Sequence, residues 1–417
     1  MIWITIAFLL IIEIFSWVKY HDLLCPAVLS NIMWIISIIF AIKICPKEYL
    51  NSSYFIVIIM GAIVFQIGFS MSLKTKIKKR REVLGYDIVI KKINIKILVG
   101  ILTIFLIPIF VQYFQYMKST NLTFYEMLTT AEDNLNLPSL FNYYRKIIQF
   151  ICLVVVTVYW NTSNNNKKVL KKYVRLLLII SILCVLSVPT RNGILFFLLP
   201  FVFVYLLTHE VSNKKIAIIG IITIICFMII FYNISLEKYW YLYDSSKNKL
   251  DVIINEFSLY LSGGVVAFIE TAKNHSFTYF GQNTFRFFYA IFDKLFNTTS
   301  SVDLVNEFTK INSSLTTNVY TFYDFYLRDF GILYAIFIQF IVSILHGISY
   351  KGACKKSPFQ IYLFSMLSYP LIMQFFQDQY FSLTSTWIQI ILVGIIMIKT
   401  NLFFIIKPIY KSTKNES

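Results

Sequence analysis

Residues 53–73 read SYFIVIIMGAIVFQIGFSMSL, twenty-one positions without one charged side chain. A membrane-crossing helix needs about 20 consecutive apolar residues, because its backbone polar groups must be satisfied within the segment where no water is present. The residues that follow reverse this character. Positions 74–96 hold nine Lys or Arg, among them Lys78-Lys79-Arg80-Arg81. An apolar run followed by a polar connection is the pattern of the whole chain. Ten further runs occur at 1–18, 27–45, 97–117, 144–160, 173–190, 194–208, 216–235, 330–350, 359–376 and 385–406. The expectation is an all-α polytopic membrane protein with about eleven transmembrane helices.

Composition agrees. The 417 residues are 58% hydrophobic and 14% charged, against roughly 45–50% and about 25% in soluble domains. Mean hydropathy is +0.69. A soluble enzyme, a disordered chain and a disulfide scaffold are thereby excluded. The six cysteines (Cys25, Cys45, Cys152, Cys184, Cys226, Cys354) form no C-x-x-C and read as small apolar residues. The first run lacks a basic start and an A-x-A exit, so it is expected to remain as a helix.

The net charge of +17 does not point to nucleic acid, because the basic residues sit in short connections between apolar runs. That is an orientation signal. With eleven spans, the connections at 19–26, 74–96, 161–175, 209–215 and 351–358 and the tail fall on one side. They carry 23 Lys/Arg and five acids, while 15 of the 21 acids fall opposite. The basic side is expected to be cytoplasmic, with the N-terminus outside and the C-terminus inside. Lys43 and Lys47 dissent.

This division gives three expected regions. Residues 1–235 form an N-terminal bundle of about eight spans, 236–329 a large outer loop, and 330–417 about three spans with a cytoplasmic tail. The loop is rich in Tyr, Phe and Leu. Residues 251–270 place Ile254, Phe257, Leu261, Val265 and Phe268 on one helical stripe, and 284–296 repeat the pattern with Phe285, Phe288, Ile291, Phe292 and Leu295. Both are expected to lie on, or dip into, the outer membrane surface.

Nucleotide chemistry leaves no mark: there is no Walker loop, no G-x-G-x-x-G and no D-x-D. The four histidines show no metal spacing, so no metal site is expected. The candidates are arginines on the outer side: Arg145, Arg191, Arg286 and Arg328. Arg191 lies in the break Val188-Pro189-Thr190-Arg191-Asn192-Gly193 between two runs. Guanidinium matches phosphate oxygens in bidentate fashion, whereas the plainer reading is a snorkelling interfacial side chain. Asp324 and Arg328 are one helical turn apart and able to pair, at the mouth of a span where ionisable groups tend to serve function. Asp329 suits a helix N-terminus equally well. Arg286 follows Gly281-Gln282-Asn283-Thr284-Phe285. His275 is a candidate general base or a solvated loop histidine. Arg145 reads as interfacial, and Glu13 in the first span has no assigned role.

Three segments carry a resemblance: Tyr260-Leu261-Ser262-Gly263-Gly264-Val265-Val266-Ala267-Phe268, then Gly281-Gln282-Asn283-Thr284-Phe285, then Asn318-Val319-Tyr320-Thr321 followed by Asp329-Phe330-Gly331. With the pattern of spans and the late outer loop, the chain resembles the Wzy-type polymerases that assemble O-antigen and capsule repeat units in bacteria. Asn192 departs from the small residue expected beside Arg191. The resemblance implies transfer of a growing glycan from polyprenyl pyrophosphate onto a lipid-linked repeat unit, at the outer face of the bacterial cytoplasmic membrane. It implies no cofactor and no nucleic acid. Arg191, Arg286 and Arg328, with Asn318 and Tyr320, would bind the undecaprenyl-pyrophosphate-linked donor and acceptor. Asp324 or Asp329 would orient an arginine or act as base, with His275 as a further base candidate. Membrane lipids, a chain-length regulator and a flippase are the implied partners. A glycan ligase shares most of these features. A flippase for lipid-linked oligosaccharides would have evenly spaced spans and no large loop.

Overall fold

The computed structural model describes residues 1–44, 46–74, 83–120, 139–162, 164–187, 190–209, 211–239, 249–274, 280–300, 302, 306–311 and 315–410. In chain order the elements begin with α1 (Ile2–Tyr20), α2 (Pro26–Ile44), α3 (Lys47–Leu50), α4 (Phe55–Lys74), β1 (Val83–Ile90) and α5 (Lys92–Thr120). There follow α6 (Ser139–Asn161), α7 (Asn164–Leu186), α8 (Arg191–Thr208), α9 (Asn213–Tyr239), α10 (Lys249–Asn274) and α11 (Arg286–Phe296). The last are β2 (Thr309–Lys310), β3 (Thr316–Thr317), α12 (Phe322–Phe330), α13 (Ile332–Cys354), α14 (Pro358–Ile372), α15 (Thr384–Gly394) and β4 (Phe404–Tyr410).

The chain is a mostly helical membrane protein. Among the described residues, six helices are long and apolar enough to cross a membrane: α1, α2, α4, α6, α8 and α13. The other five expected runs coincide with α5, α7, α9, α14 and α15. On α1, Trp3, Phe8, Ile11 and Phe15 are exposed while Ile6 and Leu9 are buried. Such an apolar outer surface suits hydrocarbon, not water.

The all-α expectation needs two corrections. The last run, expected to span over 385–406, is helical only as far as Lys399, where α15 ends in a π-helical turn over Ile395–Lys399. From Phe404 the chain is a strand, as suits its Ile405-Ile406 pair, and Pro408 is tolerated because each strand of a two-stranded sheet is an edge. That strand, β4, pairs antiparallel with β1, drawn from the basic 74–96 connection. Both strands come from segments that the charge count puts on one side of the membrane, as their pairing requires. β2 and β3 form a second small sheet.

The chain divides into two units interleaved in sequence. Unit 1 comprises Met1–Thr75, Ser212–Ile348 and Leu367–Trp387. Here α1, α2 and α4 pack on one another, and α10 packs along α2. The described residues of 236–329, read from sequence as a large outer loop, belong to this unit.

Much of α10, which covers 251–270, is packed inside unit 1. Val265, Val266, Ala267, Phe268 and Ile269 are all buried. Ser37 Oγ donates to Leu261 O at 2.7 Å, and Ser37 lies seven residues before the end of α2. At 1.5 Å per residue, this contact is roughly 10 Å from that end. Small residues explain the depth. Ser258 and Ser262 turn their hydroxyls back onto Ile254 O and Ser258 O, each at 2.6 Å, so neither needs water. Gly264 then lets backbone approach: a Cβ there would stand 2.6 Å from Phe375 O, inside van der Waals contact. By contrast, α11 fits the surface-helix expectation. None of its residues is buried, and Phe288, Ile291, Phe292 and Leu295 are exposed.

Unit 2 comprises Lys76–Val211, Ser349–Met366 and Ile388–Ser417. α6 and α7 pack as a pair, with α5 against α7 and α8 against α6. In the β1–β4 sheet Ile88, Ile90 and Phe404 are buried, while Asp87 and Val89 are exposed and Asp87 stands opposite Lys407. Asn94 and Asn166 tie the starts of α5 and α7 to the sheet, donating through Nδ2 to Leu402 O and Ile88 O at 2.7 Å each.

Candidate functional site

The charged centre of unit 1 lies on α12, nine residues that precede the long apolar helix α13. Asp324 and Arg328 are one turn apart, and Arg328 Nε stands 2.7 Å from Asp324 Oδ2. The Asp324 side chain is 0% exposed and that of Arg328 12%. The guanidinium lies over the Tyr320 ring, 4.7 Å from its centroid, and Arg328 Nη2 donates to Thr271 Oγ1 on α10 at 3.2 Å. A carboxylate, an aromatic face and a hydroxyl thus fix the arginine from separate elements. Burial pushes the Asp324 carboxyl up to about 6, while the Arg328 charge pulls it back. Burial works against the Arg328 cation, but Asp324 and Tyr320 more than offset it, so its pKa is raised.

Asp329 has a different task. Its Oδ1 accepts from Asn283 N (3.1 Å) and Asn283 Nδ2 (2.9 Å), and its Oδ2 from Thr284 N (2.7 Å) and Thr284 Oγ1 (2.6 Å). Four donors occupy both oxygens, so this carboxylate clamps the 281–285 turn and is not arranged as a base. The two segments Gly281-Gln282-Asn283-Thr284-Phe285 and Asp329-Phe330-Gly331 therefore meet in space. Gly331, at φ 87°, ends α12 and lets the chain turn into α13. The clamp fixes the start of α11, where Arg286 is the first residue.

The other expected residues fall as follows. Tyr320 is buried; its hydroxyl donates to Glu307 O at 2.9 Å and bonds Thr309 Oγ1 at 2.6 Å. Its ring face is what it offers Arg328. Asn318 is half-buried on the strand-to-helix connection. Arg191 belongs to unit 2 as the first residue of α8, where Thr190 caps the helix by accepting from Gly193 N at 2.8 Å. Arg145 donates through Nε to Cys184 O at 3.0 Å. It ties α6 to α7 and is not merely interfacial. Glu13 accepts from Asn31 Nδ2 at 3.1 Å, a polar tie between α1 and α2. His275 lies outside the described residues.

Several residues were not singled out from sequence. Thr271 is one. Beside it on α10, Glu270 Oε2 accepts from Tyr49 OH at 2.6 Å and Lys273 lies over the Tyr49 ring at 4.0 Å. Asp378 is another. Fully buried, it accepts from Tyr326 OH (2.7 Å), Tyr380 N (3.1 Å) and Ser382 N (2.8 Å), and burial raises its pKa. Tyr326 is on α12, so Asp378 braces the helix carrying Arg328. Beyond it, Tyr380 OH bonds His346 Nε2 at 2.8 Å. Gln374 Oε1 accepts from Ser30 Oγ, Trp34 Nε1 and Gln339 Nε2, each at 3.2 Å. The sequence signal was available: Met373-Gln374-Phe375-Phe376-Gln377-Asp378-Gln379 sets polar residues among aromatics directly after an apolar run.

Among the described residues, no three His, Cys, Asp or Glu side chains gather as a metal site. No family model matches the chain, and neither a curated protein nor a solved structure does.

Proposed function

We propose that this chain is a membrane glycosyltransferase that polymerises lipid-linked glycan repeat units, moving a growing glycan from polyprenyl pyrophosphate onto a lipid-linked acceptor. The site faces outward from the bacterial cytoplasmic membrane. In the reaction the bond from the sugar's anomeric carbon to pyrophosphate breaks, and a bond to the acceptor hydroxyl forms. The hydroxyl proton goes to a base, and negative charge develops on the departing pyrophosphate.

The observation that carries this reading is Arg328. It is a guanidinium held on three sides, by Asp324, Tyr320 and Thr271, in a largely buried setting. A cation fixed before reaction stabilises developing phosphate charge without reorganising. Arg286, placed by the Asp329 clamp, and Arg191, a cation at the already positive start of a helix, are the other pyrophosphate ligands in this reading. Asp324 orients Arg328. Asp329 holds the turn, which leaves His275 as the candidate base.

The test is polymer formation by Arg328→Ala and Arg191→Ala in cells lacking the wild-type chain. Each variant is expected to remain in the membrane and to make no polymer. Wild-type polymer from both would remove the arginines from the mechanism.

A further inference from the structure

Unit 2 carries a surface that the proposed reaction does not use. The β1–β4 sheet gathers the starts of two helices, and those starts are strongly basic. α7 opens with Lys167, Lys168, Lys171, Lys172 and Arg175, all but the half-buried Lys167 exposed, while Leu170, Tyr173 and Val174 on the same turns are buried. Lys91, Lys92 and Lys96, at and just before the start of α5, are exposed too. Asn166 and Asn94 hold both starts against the sheet through the hydrogen bonds to Ile88 O and Leu402 O. The sheet adds exposed Lys407, and its exposed acid is Asp87, directly opposite that lysine.

The same surface is apolar between its lysines. Val89 is 48% exposed, Leu402 46%, Ile409 48% and Ile93 71%. Lysines alternating with exposed aliphatic side chains, on a rigid sheet beside helices that enter the apolar part of the chain, match a phospholipid interface. The aliphatic groups reach the acyl boundary and the ammonium groups meet phosphate. A water-facing sheet would gain nothing from those aliphatic groups, and an acidic soluble partner would leave them uncovered.

We propose that the β1–β4 sheet, with the basic first turns of α5 and α7, is a binding surface for anionic phospholipid headgroups of the adjoining leaflet. The surface holds the otherwise like-charged starts of the two helices together by placing phosphates between them. It selects lipid by charge, through several lysines, with no single closed pocket.

The test uses the purified full chain in phosphatidylcholine bilayers. Trace spin-labelled phosphatidylglycerol is compared with spin-labelled phosphatidylcholine, and the motionally restricted fraction gives their relative association constant. Phosphatidylglycerol is expected to be preferred by roughly threefold or more at low salt, with the preference falling at high salt. The variant K167Q/K168Q/K171Q/K172Q is expected to lose most of that preference and to keep its thermal midpoint in neutral detergent. K214Q/K215Q, at the start of α9 in unit 1, is the control and should retain it. No preference in wild type, an undiminished preference in the four-lysine variant, or equal loss in the control would each overturn the assignment. Displacement by inorganic phosphate beyond that by chloride at matched ionic strength would replace the lipid by a soluble phosphate ligand, and would overturn it too.

Discussion

Asp324→Asn removes one charge from the buried ion pair of α12 and changes almost no volume. At the 2.7 Å separation of Arg328 Nε and Asp324 Oδ2, Coulomb's law with an effective dielectric constant near 20 gives ~6 kcal/mol of gross attraction. Desolvation of both groups offsets most of this in the intact pair. Removing one partner leaves the desolvation of the other uncompensated, which costs about 3–5 kcal/mol. Tyr320 and Thr271 still contact Arg328, but neither carries a compensating negative charge. Asp324→Asn should therefore lower the apparent Tm in detergent by roughly 5 °C or more at a fixed scan rate, and polymer should be lost. Arg328→Gln alone should also destabilise, since it strands a buried carboxylate. The double variant Asp324→Asn with Arg328→Gln should recover stability towards wild type, because two neutral amides replace two charges, while still making no polymer. The readouts are unfolding midpoints for all four proteins and the glycan ladder for each. Additive losses in the double variant, or an Asp324→Asn protein as stable as wild type, would refute the reasoning.

Three further outcomes are expected. Lowering pH through about 6 should protonate Asp324 and release Arg328, so activity in membranes should fall with a midpoint near 6. Asp329→Ala should free the 281–285 turn, stranding two backbone N–H groups at a cost of about 2–4 kcal/mol, and hydrogen exchange should rise across 280–296 with Arg328 still paired. Gly264→Ala should disrupt assembly of α10, because its Cβ would stand 2.6 Å from the backbone oxygen of Phe375, while Gly263→Ala should be milder since its nearest neighbour is the movable Leu259 side chain at 3.1 Å. The check is folded yield and thermal midpoint of the two variants side by side.

The membrane class was plain in the sequence because long uncharged runs such as 53–73 have few other uses. The site was legible in part. Asp324 and Arg328 were paired from their four-residue spacing, and that is how they stand. The clamp of Asp329 on Asn283 and Thr284 was not readable, because partners 45 and 46 residues apart leave no local pattern; a resemblance set the two segments side by side and nothing more. The burial of α10 was legible only as a helix on, or dipping into, a surface, for a physical reason. Its stripe of Phe257, Leu261, Val265 and Phe268 reads as one apolar face, yet Gly264 lies within that stripe and meets the backbone oxygen of Phe375, while Ser258 and Ser262 return their hydroxyls to carbonyls of the same helix. β4 was missed because Phe403, Phe404, Ile405 and Ile406 continue an apolar run, and periodicity over so few residues does not separate helix from strand. Asp378 escaped because one acid in a short connection looks solvated until its donors Tyr326, Tyr380 and Ser382 are known.

The central claim is polymerisation by this chain. Its most direct test is the glycan of a strain from which the chain has been deleted, on a gel that resolves single repeat units, polymer and lipid-linked material. Surface glycan capped at one repeat unit, with the ladder restored by wild type and not by Arg328→Ala, is the predicted result. Loss of all surface glycan with repeat units held on the inner leaflet, or long polymer stranded on its lipid carrier, would contradict it.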